Sequence, residues 1–280
     1  MSIVTAPRAI VELRDTHFTY PNGTQVLDGV SLEIPAGSIV GIVGPSGCGK
    51  STLLSLIAGL SQPTGGEVEH RFDDSGRHPL SMVFQKDTVL PWLTAAENVR
   101  YFARFKQHGY RGRVPFAGRR SARSRALDAR VAELLGMTGL AANAGSYPYQ
   151  LSGGMRRRLA FLSGVAVDPQ ILLLDEPFSS VDEPTRVEIH QDVFSIARKM
   201  RMTMLLVTHD LAEAITLCDK VLILSSRPTT IAQEATIPFG DERKMLDLRQ
   251  SPEFLELYGT LWDELSSQIA AGRAPRSDVG

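Results

Sequence analysis

The sequence predicts an α/β fold built around a phosphate-binding loop, and two observations lead to this prediction. Short apolar runs of strand length occur at residues 38–43, 171–174 and 203–208, and helix-forming segments follow them. This alternation of buried strands and helices is typical of a parallel sheet. The first run leads directly into a glycine-rich loop at residues 44–52, which fits the pattern G-x-x-x-x-G-K-[ST].

The glycine-rich loop carries the residues expected to bind a nucleotide. Glycines let the backbone approach phosphate oxygens, and the N–H groups at the start of the following helix point at the anion. The Lys50 ammonium would reach the β- and γ-phosphates, and the Ser51 hydroxyl would ligate Mg²⁺. The expected contacts are Gly44, Pro45, Ser46, Gly47, Cys48, Gly49, Lys50, Ser51 and Thr52.

Composition describes an ordinary globular chain. It has 280 residues, of which 43% are hydrophobic and 22% charged, enough for one large domain or one domain with a subdomain. No apolar run approaches the roughly 20 residues that cross a bilayer, and no signal peptide is evident at the N-terminus. The two cysteines, Cys48 and Cys218, indicate a reducing compartment. Cys48 is either a small residue at a tolerant loop position or an oxidation-sensitive thiol.

Positive charge is concentrated between residues 100 and 130. That stretch contains ten basic residues and one acid, Asp128, although the net charge of the chain is −1. A basic run of this kind can bind nucleic acid or an anionic membrane surface. The favoured interpretation is a solvated insertion, and its Gly, Pro and Arg residues at 109–118 predict a loop.

The N-terminal part is predicted to form a small antiparallel sheet. Residues 10–14 and 30–34 alternate between apolar and polar, with turn residues at 21–23 and 35–37. Tyr20 immediately precedes the first turn. Its ring could stack on a nucleotide base, or it could pack locally at a strand end.

A short strand at residues 80–84 ends at Gln85, where a parallel sheet binds ligands, so Gln85 could reach Mg²⁺ or a water. Thr94 and Glu97 then form a capping-box pattern that predicts a helix beginning near residue 95. Leu90, Pro91 and Trp92 make an apolar hook before that helix. The hook either packs locally as a hydrophobic staple or forms a docking surface for a partner.

A second anion-binding helix start is predicted at residues 151–155. Ser152 is a natural N-cap, and Gly153 and Gly154 expose the first N–H groups of the following helix. Two phosphate-facing helix starts in one chain would be explained if two copies met across their nucleotides.

Acidic and basic groups end two further strands. Asp175 and Glu176 follow the apolar run at 171–174, and His209 follows the run at 203–208. Asp175 would hold Mg²⁺, and the Glu176 carboxylate could orient and deprotonate a water that attacks phosphorus. Alternatively, Glu176 caps the next helix. His209 could bond a γ-phosphate or be structural.

Together these motifs resemble the ATP-binding subunit of an ABC transporter, over about residues 11–265. The features that carry the resemblance occur in the family's order. They are the aromatic Tyr20, the phosphate loop, the glutamine Gln85, the signature at 151–155, the acid pair Asp175 and Glu176, the aspartate loop at 179–182 and the switch histidine His209. The segments at 90–94 and 257–262 and the signature ending in Met155 are similar to the nitrate/sulfonate/taurine importer branch.

The resemblance implies a P-loop NTPase (RecA-like) core with an antiparallel β subdomain and an inserted helical subdomain. It implies a core at 9–86 and 165–240, a helical subdomain at 87–164, and a C-terminal amphipathic helix and tail at 241–280. ATP and Mg²⁺ would be the cofactors. Implied partners are membrane permease subunits docking near Gln85 and Trp92, a second copy of the chain, and, indirectly, a periplasmic or lipid-anchored solute-binding protein.

The resemblance also implies a mechanism. Two copies would face head to tail, and Ser152, Gly153 and Gly154 of one would contact the γ-phosphate held by the other. The residues implied to act in catalysis are Glu176, His209, Lys50 and Gln85. Those implied to bind Mg²⁺ are Ser51, Gln85 and Asp175. The subunit would lie at the cytoplasmic face of the cell membrane and energise uptake of a small anion such as sulfonate, taurine or nitrate.

Two residues depart from the family pattern, since Met155 replaces a usual Gln and Ser163 a common Arg. The basic insertion, which is longer than usual, motivates an alternative: a soluble ABC ATPase acting on nucleic acid. The single nucleotide-binding unit and the Trp92 segment argue against nucleic acid. A P-loop kinase is a weaker alternative, because a kinase has no need for the Ser152 helix start.

Overall fold

The computed structural model describes residues 8–74, 78–86, 88–108, 122–179 and 181–273, and it confirms the predicted α/β class. The chain divides into two compact units. The first unit is Met1–Arg71 with Arg201–Gly280, and the second unit is Phe72–Met200. The three-part division at 9–86 with 165–240, 87–164 and 241–280 stays a prediction.

The strands and helices that the sequence predicts are present, although some of them are longer than predicted. The strands are β1 (Ala9–Thr19), β2 (Gln25–Pro35), β3 (Ile39–Val43), β4 (Gly65–His70), β5 (His78–Val83), β6 (Pro169–Asp175), β7 (Thr203–Thr208), β8 (Lys220–Leu224) and β9 (Ile231–Thr236). The helices are α1 (Lys50–Ile57), α2 (Ala95–His108), α3 (Ala122–Met137), α4 (Gly153–Ala166), α5 (Glu183–Lys199), α6 (Leu211–Leu217), α7 (Met245–Leu248) and α8 (Pro252–Arg273).

The first unit contains the predicted antiparallel sheet, in which β1 lies between β2 and β4. Its first two strands extend well beyond the alternating segments found in the sequence. The alternating pattern of β1 is interrupted at Asp15, which adopts a positive φ of 45°. The register of β1 shifts across this residue in its pairing with β2 and in its pairing with β4. Such a bulge moves later side chains to the other face, which ends the period-two pattern although the strand continues.

A second sheet in the first unit places the phosphate loop. Here β3 lies between β7 and β8, parallel to both, and β9 runs antiparallel along β8. Every residue of β3 and β7 is buried, as expected for parallel strands covered on both faces. Val43 is in register with Thr208. The residues that follow these two positions, Gly44 and His209, therefore leave the sheet at the same edge.

The C-terminal helix α8 buries only some of the apolar residues that recur along it. Phe254, Leu261 and Leu265 are buried, whereas Leu255 and Trp262, which the apolar periodicity places on the same face, are exposed. The rings of Phe254, Tyr258 and Trp262 follow one another in near-parallel stacks with centroids 6.0–6.3 Å apart. The stack begins at the buried Phe254 and ends at the exposed Trp262. The apolar character of these residues alone would therefore overestimate how much of α8 is buried.

The second unit pairs β5 and β6 in parallel, and α2, α3 and α4 come between them in the chain. Val83 is in register with Leu174, so Gln85 and Glu176 each follow at the same end of this pair. Helix α4 packs closely against both strands at Gly164. A Cβ on Gly164 would lie 2.7 Å from Val83 Cγ2 and 3.1 Å from Leu172 Cδ1, so only glycine permits this approach.

The predicted helix starts are confirmed by their caps. Thr94 and Glu97 form the capping box at α2: the Glu97 carboxylate accepts hydrogen bonds from the Thr94 N–H and hydroxyl at 2.9 Å. These bonds, the backbone N–H first, hold the pKa of Glu97 below its usual value. Asp182 caps α5 by accepting a hydrogen bond from Thr185 N. Among the described residues, no helix is both long and apolar enough to cross a membrane.

Candidate functional site

The phosphate loop of the first unit is closed around its lysine. Lys50 begins α1, and its Nζ donates hydrogen bonds to the carbonyl oxygens of Gly44 at 2.8 Å and Pro45 at 2.9 Å. The side chain is buried, with 7% relative exposure. A buried ammonium needs hydrogen-bond partners, and the loop supplies two. These hydrogen bonds hold the Lys50 ammonium inside the loop. A positive charge at this place suits an anionic ligand.

Gly49 requires glycine for two separate reasons. Its φ is +123°, a conformation that residues with a side chain rarely adopt. A Cβ at this position would also lie 2.6 Å from Val26 Cγ1, on β2 of the same unit. The backbone between the loop and α1 therefore packs directly against β2.

The residues around the start of α1 provide hydroxyl groups. Ser51 is exposed in the first turn, whereas Thr52 is buried. Thr52 Oγ1 lies 3.1 Å from the Tyr20 hydroxyl, within hydrogen-bonding distance. Tyr20 also meets Phe18 edge to face, with centroids 5.0 Å apart, and yet its side chain is 42% exposed. The two interpretations of Tyr20 are thus compatible, because the ring is held by local contacts and part of its surface remains exposed.

Cys48 lies inside the loop, buried at 2% relative exposure. Burial raises the pKa of its thiol above the usual value, more than the nearby Lys50 lowers it. Because the thiolate is the reactive form, this environment favours the interpretation of Cys48 as a small packing residue.

These residues fit a nucleotide with its magnesium ion. The loop offers a buried cation, a glycine whose backbone can approach a ligand closely, and an exposed hydroxyl at a helix N-terminus, which together suit phosphate oxygens. Among the described residues, no group of three or more His, Cys, Asp or Glu side chains could hold a metal ion. Mg²⁺ fits such a site, since it is usually held by few protein oxygens together with substrate phosphates and water. Ser51 is the candidate ligand in this unit.

His209 follows β7 at the edge where Gly44 follows β3. Its side chain is exposed, and the next residue, Asp210, caps α6 by accepting a hydrogen bond from Glu213 N at 3.1 Å. The first unit therefore brings together the phosphate loop, Tyr20 at the end of β1, and His209.

The second unit brings Gln85 and Glu176 into contact. Gln85 Nε2 donates a hydrogen bond to Glu176 Oε2 at 3.3 Å and to Ser179 Oγ at 3.4 Å. Asp175 is the last residue of β6, and both acids are partly exposed. Glu176 has a positive φ of 43°, which is rare for a residue with a side chain and turns the chain away from the strand. The sequence predicts each residue as a site candidate but does not predict their contact.

The signature segment forms the predicted helix start of α4. Ser152 is the N-cap and accepts a hydrogen bond from Met155 N at 3.3 Å. Ser152 and Gly153 are exposed, whereas Gly154 is buried against α5. A Cβ on Gly154 would lie 2.4 Å from Thr185 Cγ2. Gly154 thus allows close packing, while Ser152 and Gly153 face outward.

The substitution of Ser163 for a common Arg is accommodated inside α4. Ser163 is buried, and its hydroxyl donates to the Leu159 carbonyl oxygen at 2.9 Å. A different arginine, Arg158, joins α4 to α5 through hydrogen bonds to Asp192 at 2.8 Å and Glu188 at 3.1 Å. Burial raises the pKa of Asp192, and the Arg158 guanidinium opposes that rise.

Sequence reasoning missed Thr229, which touches the phosphate loop from the segment between β8 and β9. It is fully buried, and its hydroxyl donates a hydrogen bond to the Cys48 carbonyl oxygen. No motif marks this threonine in the sequence. Only the folded structure reveals its contact with the loop, because 181 residues separate Thr229 from Cys48 in the chain.

Known proteins resemble this chain over most of its length. Residues 27–179 match the family described as ABC transporter. The chain is 40% identical over 240 residues to the aliphatic sulfonates import ATP-binding protein SsuB 1 of Mesorhizobium japonicum, covering 86% of this chain and 83% of that one. It is 35% identical to the taurine import ATP-binding protein TauB of Jannaschia sp., covering 88% and 91%. It also matches the nitrate import ATP-binding protein NrtC of Synechococcus elongatus at 35% identity, over 91% of this chain and 38% of that one.

Solved structures agree with the fold. A dimeric ATP-binding cassette in a post-hydrolysis state, bound to ADP and Pi, superposes with a TM-score of 0.65 at 32% identity, covering 82% of this chain and all of that one. The cbiO1 protein of Clostridium perfringens, part of an ABC transporter complex, superposes with a TM-score of 0.70 over 91% of this chain at 22% identity, a likeness of fold alone.

Proposed function

Since the chain belongs to the ABC transporter family as an ATP-binding subunit, we propose that it energises uptake of a small anionic solute such as a sulfonate, taurine or nitrate. It is an ATPase of the P-loop NTPase fold, and its cofactors are ATP and Mg²⁺. The observation that carries the proposed solute class is the extent of the match. Relatives named for sulfonate and taurine import align with most of their own length and most of this chain, not with the phosphate loop alone.

The residues predicted from the sequence are proposed to share the work of hydrolysis. Lys50 and Ser51 would bind the phosphates and Mg²⁺, with Asp175 and Gln85 completing the ion's surroundings. Tyr20 would stack on the base. Glu176 would accept a proton from the attacking water, and His209 would donate to the γ-phosphate.

The signature of a second copy is proposed to complete each site. The exposed hydroxyl of Ser152 and the N–H groups at Gly153 and Gly154 would donate to the γ-phosphate held by the other copy. Hydrogen bonds to charged groups are worth roughly 1.5–3 kcal/mol each. A few that form only in the closed dimer would supply the roughly 5.5 kcal/mol needed to shift an equilibrium from 1:99 to 99:1.

The hook at Leu90, Pro91 and Trp92 is proposed to dock on the membrane permease. Trp92 is 69% exposed, so the hook does not pack as a closed local staple. The buried Asn98 holds its backbone in place: the Asn98 amide donates to the carbonyl oxygens of Leu90 and Leu93 at 3.1 and 3.0 Å, and the Leu90 N–H donates back to it. A rigid segment that presents an exposed tryptophan is typical of a protein interface.

Docking of this kind would place the subunit at the cytoplasmic face of the membrane. A periplasmic or lipid-anchored solute-binding protein would act with it indirectly. The alternative of an ATPase acting on nucleic acid finds no support among the relatives. Most of the basic insertion at 104–125 that motivated it lies outside the described residues.

The test reconstitutes the chain with its permease and solute-binding protein in liposomes and measures ATP hydrolysis. We expect at least one of taurine, alkanesulfonates or nitrate to stimulate hydrolysis several-fold, whereas stimulation by thiamin precursors alone would contradict the proposed solute class. A Glu176→Gln variant should bind ATP but hydrolyse it at least about 100-fold more slowly, because a general base contributes roughly 10²–10⁴-fold.

Trp92→Ala should abolish stimulation while leaving ATP binding intact. Leu255→Ala, which removes a comparably exposed apolar side chain from α8, is the matched control and should be stimulated normally. Stimulation by RNA or DNA, with none by any of the small solutes, would overturn the proposed function.

A further inference from the structure

We propose that Thr229 is a positioning residue for nucleotide binding, because its hydroxyl fixes the orientation of the peptide between Cys48 and Gly49. The Thr229 hydroxyl donates to the Cys48 carbonyl oxygen. A peptide unit is planar and trans, so its N–H points opposite to its C=O. Holding the Cys48 oxygen on the side of Thr229 therefore turns the Gly49 N–H to the other side, toward the interior of the phosphate loop.

Thr229 is itself held rigidly. Its backbone N–H donates to the Val26 carbonyl oxygen at 2.8 Å, and its carbonyl oxygen accepts from the Asp28 N–H at 3.0 Å. Both partners belong to β2 of the same unit. The hydroxyl that reaches Cys48 thus extends from a backbone anchored on each side to a strand, and the side chain is wholly buried.

The peptide that Thr229 holds is one that could otherwise rotate. Gly49 has no side chain to restrict its backbone, and its φ of +123° lies in a region open chiefly to glycine. Val26 and Thr229 form the surface behind it: their nearest atoms lie 2.6 and 3.5 Å from the position a Gly49 Cβ would take. Rotation of this peptide would replace an N–H donor with a carbonyl oxygen beside the phosphates, which repels an anion.

The hydroxyl has a second possible role, since a buried acceptor such as the Cys48 carbonyl needs a partner for stability alone. The two roles differ in what they change. A structural role alters the free energy of unfolding and leaves nucleotide affinity unchanged. A positioning role alters the affinity of the folded protein for phosphate-bearing ligands.

The experiment compares three variants of the full chain by calorimetric ATP titration, thermal unfolding and steady-state hydrolysis. Thr229→Val removes the hydroxyl at nearly constant volume. Thr229→Ser keeps the hydroxyl. Thr203→Val is the matched control, because Thr203 is also a buried threonine of the first unit, and its hydroxyl accepts a hydrogen bond from the Gly37 N–H at 2.9 Å, away from the loop.

We expect Thr229→Val to raise the Kd for ATP and ADP about tenfold, the effect of one lost hydrogen bond to a charged group. KM should rise with little change in kcat. Thr229→Ser should stay within about threefold of the original Kd, and Thr203→Val should lower the unfolding temperature without changing Kd. An unchanged Kd in Thr229→Val, with a stability loss like that of Thr203→Val, would overturn the proposal.

If Thr229→Val does not fold, Thr229→Cys replaces it, since a thiol of similar size is a much weaker donor. An intermediate rise in Kd is then expected, and a Kd equal to that of the original chain would reject the positioning role. The measurement needs no solute, permease or solute-binding protein. Its result is therefore independent of the transport function proposed above.

Discussion

At the scale of single residues, Tyr20 packs against its neighbours and is also proposed to bind the nucleotide base. Phe18 holds the ring at its edge, and Thr52 lies within hydrogen-bonding distance of its hydroxyl. Neither contact covers the ring completely. The hydroxyl is thus a candidate for stabilising α1 through Thr52, and the ring face is a candidate surface on which the nucleotide base stacks.

Two substitutions distinguish the role of the Tyr20 hydroxyl from that of its ring face. Tyr20→Phe keeps the ring face, so we expect ATP affinity to stay within about threefold of the original. Tyr20→Ala removes a stacking surface worth about 1–3 kcal/mol per base, so affinity should fall about tenfold or more. Titration with ATP checks both. A loss in Tyr20→Phe as large as that in Tyr20→Ala would mean that the hydroxyl, not the ring face, matters.

The sequence identifies the site residues of local motifs better than it identifies their partners. The phosphate loop and the Ser152 cap follow from neighbouring residues, so their chemistry is visible in the chain. The bond between Gln85 and Glu176 depends on β5 and β6 pairing with Val83 opposite Leu174, which no local pattern encodes. Thr229 was missed for the same reason.

At the scale of elements, the packing of α4 on β5 and β6 depends on Gly164. The helix approaches so closely that a single methyl group there would overlap Val83. Glycine lowers intrinsic helix stability by about 1 kcal/mol relative to alanine. Its presence within α4 is therefore explained by packing and not by helix propensity.

Gly164→Ala should destabilise the protein by about 1–3 kcal/mol through overpacking, despite the gain in helix propensity. Gly136→Ala is the matched control within α3, because a Cβ there would meet no atom within 4 Å. It should be neutral or stabilising by up to about 1 kcal/mol. Denaturant unfolding measures both. Equal effects of the two substitutions would contradict the close-packing argument.

Element boundaries were predictable where a cap marks them and less so where burial decides. The capping box of Thr94 and Glu97 fixes the start of α2, since its bonds join residues three apart. The buried face of α8 could not be drawn from periodicity, because Leu255 and Trp262 are apolar and yet exposed. Which apolar residues a helix buries depends on the surface it meets.

At the scale of the whole molecule, the groups proposed to carry ATP hydrolysis occur in both compact units of the chain. The phosphate loop, Tyr20 and His209 belong to the first unit, and Gln85, the acid pair and the signature belong to the second. The signature of one copy is proposed to meet the phosphate loop of another. We therefore expect the isolated chain to bind ATP and to hydrolyse it efficiently only as a dimer.

Sedimentation of the Glu176→Gln variant tests this expectation. With saturating ATP and Mg²⁺ it should sediment as a dimer, because the bound nucleotide persists when hydrolysis is blocked. With ADP it should be a monomer. Adding Ser152→Ala should weaken dimerisation at least several-fold without changing the affinity of the monomer for ATP. A monomer at saturating ATP would contradict the two-copy mechanism.

The close contact at Gly164 also has a mechanical consequence for α4. Gly164 lies near the C-terminal end of that helix, against a strand that stops two residues before Gln85, and the signature lies at the opposite end. Eleven helical residues span about 16 Å, so a tilt of about 5° about Gly164 would displace the Ser152 end by about 1.4 Å. That is enough to make or break a hydrogen bond. A small tilt of α4 at Gly164 would therefore move Ser152, which is proposed to bind the γ-phosphate of the other copy, by about the length that separates a hydrogen bond from a lost one.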